Sequence, residues 1–214
     1  MSAGRGTPAA PAVVAGGGLA AWVVPALRAA AALVVGLAIT FTAAHSAAFG
    51  LIAFGLYAVV AGAVLLAGSV GGRSERRSRS PLLAQGIVTV LAGVAALAVP
   101  TGGAYFFVWV VSAWAIITGA LELVGGIRAR GRLASARDAM ILGVLTLALG
   151  IAFLVVPPDY RQSLGGIEKV TGTLTASVVL VGIFGAWAIV TGVLLGIGAV
   201  SARGPRNSNQ EETA

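Results

Sequence analysis

One six-residue phrase occurs three times in this chain and constrains its fold more than any other feature. Each copy reads as an aromatic residue, Ala, two β-branched residues, a small residue and Gly. The copies are Tyr57-Ala-Val-Val-Ala-Gly62, Trp114-Ala-Ile-Ile-Thr-Gly119 and Trp187-Ala-Ile-Val-Thr-Gly192. Three copies in register predict a tandem array of one small structural unit.

The composition places this array in a membrane. Hydrophobic residues make up 58% of the chain and charged residues 10%, whereas soluble domains carry roughly 25% charge. Six apolar segments approach the roughly 20 residues that a helix needs to cross a bilayer. They are residues 26–44, 47–70, 82–100, 104–127, 138–157 and 175–200. We therefore predict an all-α integral membrane six-helix bundle built from three tandem transmembrane hairpins.

The predicted domain organisation follows the repeat. Residues 1–25, rich in Ala, Gly and Pro, are expected to form a flexible cytoplasmic tail, and residues 201–214 a disordered one. The transmembrane domain spans 26–200, with repeats at 26–72, 82–128 and 138–200. The loop 157–175 is the one sizeable insertion, and its opposite charges are expected to pair or to be solvated.

Small residues also recur in the first helix of each unit. Gly36, Gly93 and Gly150 are spaced by 57 residues, and a second small residue precedes each by seven. Seven residues are nearly two helical turns, so each pair lies on one face. Such a face lets a neighbouring backbone approach closely.

Arginine runs predict the orientation and the partners of the helices. The basic residues concentrate in two loops, while the turns near 44–47 and 100–104 carry none. The positive-inside rule then places both termini on the cytoplasmic side of a bacterial plasma membrane. Because the runs flank apolar segments, anionic lipid headgroups are the expected partners and nucleic acid is not. The candidate lipid contacts are Arg73, Arg76, Arg77, Arg79, Arg128, Arg130 and Arg132.

The repeat resembles a known family. The phrases at 112–119 and 185–192, followed in the middle unit by Ala-Leu-Glu-Leu at 120–123, are similar to the HdeD-like acid-resistance membrane proteins, a family with a short repeat of unknown function. The resemblance covers roughly residues 27–200 and implies a small multi-pass inner-membrane protein, linked in some members to survival at low pH. Unit one departs from the pattern at Tyr57 and Ala61.

Glu122 is the one acidic residue in the interior of a predicted span, since Asp138 stands at the first position of its span. An ionisable group in a membrane helix is energetically unfavourable and raises a functional hypothesis. Its own helix has Gly125 and Gly126 at the positions that could pair with it. Arg28 enters the membrane at a similar depth and is the best partner. The open alternatives are a structural ion pair, proton or ion handling, and a surface carboxylate.

Two further sets of residues allow more than one interpretation. His45, at the first extracytoplasmic turn, is either a sensor of external acid or an ordinary turn residue, since imidazole titrates in mild acid. Tyr57, Trp114 and Trp187 form either a substrate cage or a packing motif, in which each aromatic ring fills the gap beside a neighbour's glycine. The repeat glycines Gly62, Gly119 and Gly192 belong to the same motif.

The residue inventory argues against catalysis and cofactors. The chain contains no cysteine and one histidine, and it lacks the motifs of hydrolases, metalloproteases and nucleotide-binding loops. No metal or cofactor is expected. The predicted function is non-enzymatic: a stress-response membrane protein that acts through bilayer packing, lipids, a membrane protein partner or a homo-oligomer. The alternative is a small transporter or proton pathway that uses Glu122.

Overall fold

The fold is an all-α bundle with one small hairpin of strands. The computed structural model describes residues 22–43, 45–71, 76–131, 135–163 and 173–203, with the backbone alone for 71 and 76–79. All six helices are long and apolar enough to cross a bilayer, which confirms the predicted fold class. In chain order they are α1 (Val23–Phe41), α2 (Ala47–Gly71), α3 (Arg76–Ala98), α4 (Gly103–Ala129), α5 (Ala136–Val155) and α6 (Ala176–Arg203).

Two helix ends correct the predicted tails. Helix α1 begins at Val23, because Pro25 lies in the first turn, where a missing backbone N–H breaks no helical hydrogen bond. Helix α6 continues through residues 201–203, and the Arg203 guanidinium lies 3.7 Å from the ring centroid of Trp22. This cation–π contact joins the start of α1 to the end of α6. The rest of both tails, 1–21 and 204–214, lies outside the described residues.

Neighbouring helices are antiparallel, so the bundle has two ends. We call the end where α1 begins and α6 ends the terminal end, and the opposite end, which carries the links 42–46, 99–102 and 156–175, the distal end. The most extensive helix contacts are α2 with α3, α4 with α5, and α6 with α1. Each unit's second helix therefore packs most closely on the first helix of the next unit. The last helix packs on the first, which closes a ring.

The repeat glycines make these cross-unit contacts. A Cβ added at Gly62 would lie 2.8 Å from the backbone nitrogen of Val90, and one at Gly119 would lie 2.8 Å from that of Leu147. At Gly192 the corresponding distance, to the backbone nitrogen of Leu33, is 3.1 Å. Because a side chain does not fit at these distances, the small-residue faces bring the paired backbones together.

The distal half of the bundle is filled by phenylalanines. Phe54, Phe107, Phe153 and Phe184 are fully buried. The rings of Phe107 and Phe153 meet edge to face at 5.2 Å between centroids, and those of Phe54 and Phe184 at 5.7 Å. These aromatic contacts fill the centre of the distal half with apolar side chains.

The insertion at 157–175 forms a structure that the sequence pattern did not predict. Strands β1 (Arg161–Ser163) and β2 (Thr173–Thr175) pair antiparallel, with Gln162 opposite Leu174. The backbone N–H of Ala176 donates to the carbonyl of Tyr160, so the hairpin joins α6 directly. The charges of Glu168 and Lys169 are expected to pair or to be solvated. Both residues belong to 164–172, which lies outside the described part of the chain.

Candidate functional site

The structure brings Arg28 and Glu122 into contact near the terminal end of the bundle. Arg28 Nη2 donates to Glu122 Oε1 at 2.8 Å, and the two side chains are only 14% and 9% exposed. Arg28 lies on α1 and Glu122 on α4, so the pair joins units one and two across the ring. The contact satisfies a carboxylate that its own helix leaves without a partner.

Gln85 completes this cluster. Its Nε2 donates to the same oxygen of Glu122 at 2.6 Å. We call Arg28, Gln85 and Glu122 the polar triad. A charged acceptor with two donors forms stronger hydrogen bonds than neutral groups do, and the net charge of the triad is zero.

The repeat explains why the triad lies on one side of the axis. Six positions form one layer: Arg28, Gln85 and Leu142 are equivalent on the first helices, and Leu65, Glu122 and Leu195 on the second. Units one and two supply all three polar side chains. Unit three contributes only leucines, which are both buried. The layer is therefore symmetric in backbone and asymmetric in chemistry.

On the distal side of this layer, the three repeat aromatic residues meet at the centre of the ring of helices. Ring centroids are 6.1 Å apart for Tyr57 and Trp114, 5.6 Å for Tyr57 and Trp187, and 5.5 Å for Trp114 and Trp187. All three contacts are edge to face. We call these residues the aromatic triad. One ring from each unit reaches the same point, which marks a pseudo-threefold axis.

This arrangement corrects the expectation that each aromatic ring fills the gap beside a neighbour's glycine. The atoms nearest to the positions of a Cβ at Gly62, Gly119 and Gly192 come from aliphatic side chains and backbone, not from these rings. The aromatic rings pack on one another at the axis, while the glycines make the helix contacts. Because the rings are in van der Waals contact, no space for a substrate remains between them.

A small cavity lies between the two triads. Its volume is about 10 Å³, close to the space that one water molecule needs. Both triads line it, together with Ala61, Leu65, Thr89, Thr118 and Thr146. The cavity has a mixed polar and apolar lining and is far too small for an organic solute.

Two hydrogen-bond donors at this cavity have no partner among the described atoms. Thr89, Thr118 and Thr146 donate to carbonyls of their own helices at 2.6 to 2.8 Å, and Trp114 Nε1 donates to Thr89 Oγ1 at 3.2 Å. In contrast, Arg28 Nε and Trp187 Nε1 are buried and unpartnered. An unsatisfied buried donor carries a penalty of about 1–3 kcal/mol.

The other predicted site residues lie away from this cluster. His45 is in the link between α1 and α2, where its Nδ1 is 3.3 Å from the carbonyl oxygen of Ala43. Arg128 is exposed in the last turn of α4, and Arg130 follows it as the C-cap. The side chains of Arg73, Arg76, Arg77, Arg79 and Arg132 are outside the described part of the structure.

Two of the cavity threonines were missed as site residues although the sequence contains a signal for them. Thr89 and Thr146 are spaced by 57 residues and match Ala32 in unit one. A polar residue at a repeat position inside a span is a marker of the axis. Within the described ranges, no three His, Asp or Glu side chains come together as a metal site would need.

Comparison with known proteins gives one family. The family model described as a short repeat of unknown function (DUF308) matches residues 84–155 and 170–210, together more than half of the chain. The matched ranges cover most of units two and three and leave out unit one, where Tyr57 and Ala61 depart from the repeated phrase. No curated protein and no solved structure matches the chain.

Proposed function

Because this chain belongs to the family of the short repeat of unknown function (DUF308), which includes the HdeD-like membrane proteins, we propose that it is a non-enzymatic membrane protein of the acid- and stress-response type. It acts through its packing in the bilayer and through contacts with lipids or a membrane partner. Its membrane is the bacterial plasma membrane, with both termini in the cytoplasm.

The observation that supports this proposal most is the closure of the bundle. The intramembrane carboxylate of Glu122 is held by Arg28 and Gln85, and the adjoining cavity has a volume of about 10 Å³. The phenylalanine-filled distal half lies between this cavity and the distal end. A closed ring whose intramembrane carboxylate is paired and neutralised by Arg28 fits a structural element of the membrane better than a catalyst or a solute carrier.

Lipid contact is the partner role that the charge distribution supports. The terminal end carries Arg128 and Arg137 as exposed cations, with Arg130 beside them, and each basic residue near an anionic leaflet contributes about 1 kcal/mol. The arginine run at 73–79 adds to this charge. Binding to anionic vesicles should therefore weaken steeply as salt concentration rises.

A survival experiment tests the acid role. A deletion strain would be challenged at low pH while it carries the wild type, Glu122→Gln, or the control Asp138→Asn, all at matched membrane levels. We expect all three proteins to restore survival at these matched levels, because an amide oxygen in place of the Glu122 carboxylate still accepts from Arg28 and Gln85 and matching the membrane levels removes the effect of lost stability. If the wild type makes no difference to survival, the acid role is wrong for this chain.

The second candidate is a proton or ion pathway. It is favoured by one observation: Glu122 lines a small cavity together with Arg28 and Trp187, which each have a buried donor without a partner among the described atoms. Under this alternative, proton flux into proteoliposomes should be measurable with the wild type and collapse with Glu122→Gln, while Asp138→Asn conducts normally. Survival that fails with Glu122→Gln, together with such a flux, would replace the structural proposal by the pathway.

A further inference from the structure

The cavity between the two triads has the chemistry of a binding site for one small polar molecule. Arg28 and Trp187 both line it, and Arg28 Nε and Trp187 Nε1 are buried and lack a hydrogen-bond partner among the described atoms. Both groups are donors only. An occupant that contacts these groups would therefore present lone pairs to them.

The same cavity also offers acceptors. The hydroxyls of Thr89, Thr118 and Thr146 each give their hydrogen to a helix carbonyl four residues earlier. Each oxygen keeps lone-pair capacity after that donation, and all three residues line the cavity. An occupant that can both accept from two N–H groups and donate to hydroxyl oxygens would satisfy the site from all sides.

Size and charge then select the occupant. A volume of about 10 Å³ is enough for about one water molecule. The ion pair of Arg28 with Glu122 already makes the surroundings neutral, so the site has no excess charge to hold an anion. Buried waters typically make about three hydrogen bonds to polar groups that would otherwise be unsatisfied.

We propose that this cavity is a structural water site, in which one water molecule accepts from Arg28 Nε and Trp187 Nε1 and donates to threonine hydroxyl oxygens. The water links the polar triad to the aromatic triad along the axis of the bundle. This site does not depend on the proposed function, since it follows from the donors, acceptors, size and charge of the cavity. With this water in place, a hydrated layer at the cavity lies next to the dry, phenylalanine-filled distal half.

Indole NMR tests the site directly. The protein would be labelled with ¹⁵N-tryptophan in lipid bilayers, with Trp187 assigned through Trp187→Phe, and magnetisation transfer from water to each indole N–H would be measured. We expect a transfer peak at Trp187 that is stronger than the peak at Trp114, which lines the same cavity but whose indole already donates to Thr89. Absence of the Trp187 peak in the folded protein would overturn the proposal.

Two variants distinguish a water molecule in the cavity from an empty cavity or a bound anion. Ala61→Val fills the cavity and should abolish the Trp187 peak, while Thr146→Val removes one acceptor at nearly constant volume and should weaken it. If Ala61→Val does not fold, the Thr146→Val result decides alone, and an unchanged peak contradicts the water site. Replacing chloride by gluconate should leave the Trp187 shift unchanged; a shift that follows chloride or fluoride would assign the cavity to an anion instead.

Discussion

The terminal and distal halves of this bundle are built on the same repeat and held together by different chemistry. In the terminal half, Arg28, Gln85 and Glu122 replace leucines at three of six equivalent positions and meet at one carboxylate oxygen. In the distal half, the corresponding space is filled by aromatic rings such as Phe54 and Phe184. The difference shows that one repeated backbone can hold asymmetric polar contacts in one layer and close apolar packing in the next.

The largest effect is expected from leaving one charge of the polar triad without its partner. Glu122→Leu installs the residue found at Leu65 and Leu195 and strands the Arg28 guanidinium inside the bundle. We expect the free energy of unfolding in mixed detergent micelles to fall by about 3–5 kcal/mol.

A matched triple variant removes the chemical difference between the two halves. Arg28→Leu, Gln85→Leu and Glu122→Leu together turn the layer into the all-leucine form that unit three already has. We expect this triple variant to recover most of the lost stability, because buried ion pairs replaced by apolar groups are often neutral. A triple variant as unstable as Glu122→Leu would mean that the polar triad itself holds the terminal half together.

An intermediate effect is expected in the distal half. Phe184 stacks on Trp187 at 5.7 Å between centroids and meets Phe54 and Tyr57 edge to face. Phe184→Ala should lower the free energy of unfolding by about 3 kcal/mol, near the lower limit for buried aromatics, since lipid is as apolar as the core. The control Phe41→Ala, at a ring that is 84% exposed, should change it by less than about 0.5 kcal/mol.

The smallest of these effects concerns helix approach. A Cβ at Gly143 would lie 2.5 Å from the backbone nitrogen of Leu123, whereas one at Gly125 would meet nothing within 4 Å. Gly143→Ala should therefore destabilise the protein by about 1–3 kcal/mol, because backbone atoms must move apart. Gly125→Ala should be neutral or stabilising, since alanine favours helix. Equal responses in a thermal unfolding series would contradict the close α4–α5 packing.

Much of the fold follows from the sequence because periodicity and length are local properties. The three phrases predicted three units, the apolar segments predicted six helices, and equal membrane depth pointed to Arg28 as the partner of Glu122. The family resemblance, carried by residues 112–123 and 185–192, is confirmed by the family match. The functional roles of the site residues stay predictions.

The remaining features depend on which helix surfaces meet. The spacing of residues along the sequence does not specify this. The seven-residue interval between Gly143 and Gly150 predicts a small-residue face, but it names no neighbour for that face. Close packing across unit boundaries, from α2 to α3 and from α6 to α1, was therefore not predictable. The meeting of the aromatic triad at one point depends on this ring closure. Arg161 pairs with Thr175 between two short strands. These strands are too short to show an alternation of apolar and polar residues, so the sequence pattern did not reveal their pairing.

Closure of the ring has a consequence for biogenesis. Helix α1 leaves the ribosome before the other five described helices, and Glu122, which neutralises Arg28, lies 94 residues further along the chain. The helix on which α1 packs most closely, α6, is made after the other described helices. During synthesis the first segment must therefore hold a buried cation and an uncovered small-residue face until the later segments arrive. We therefore expect α1 to need shelter, from the assembly machinery of the membrane or from lipid headgroups, until α4 and α6 have been inserted.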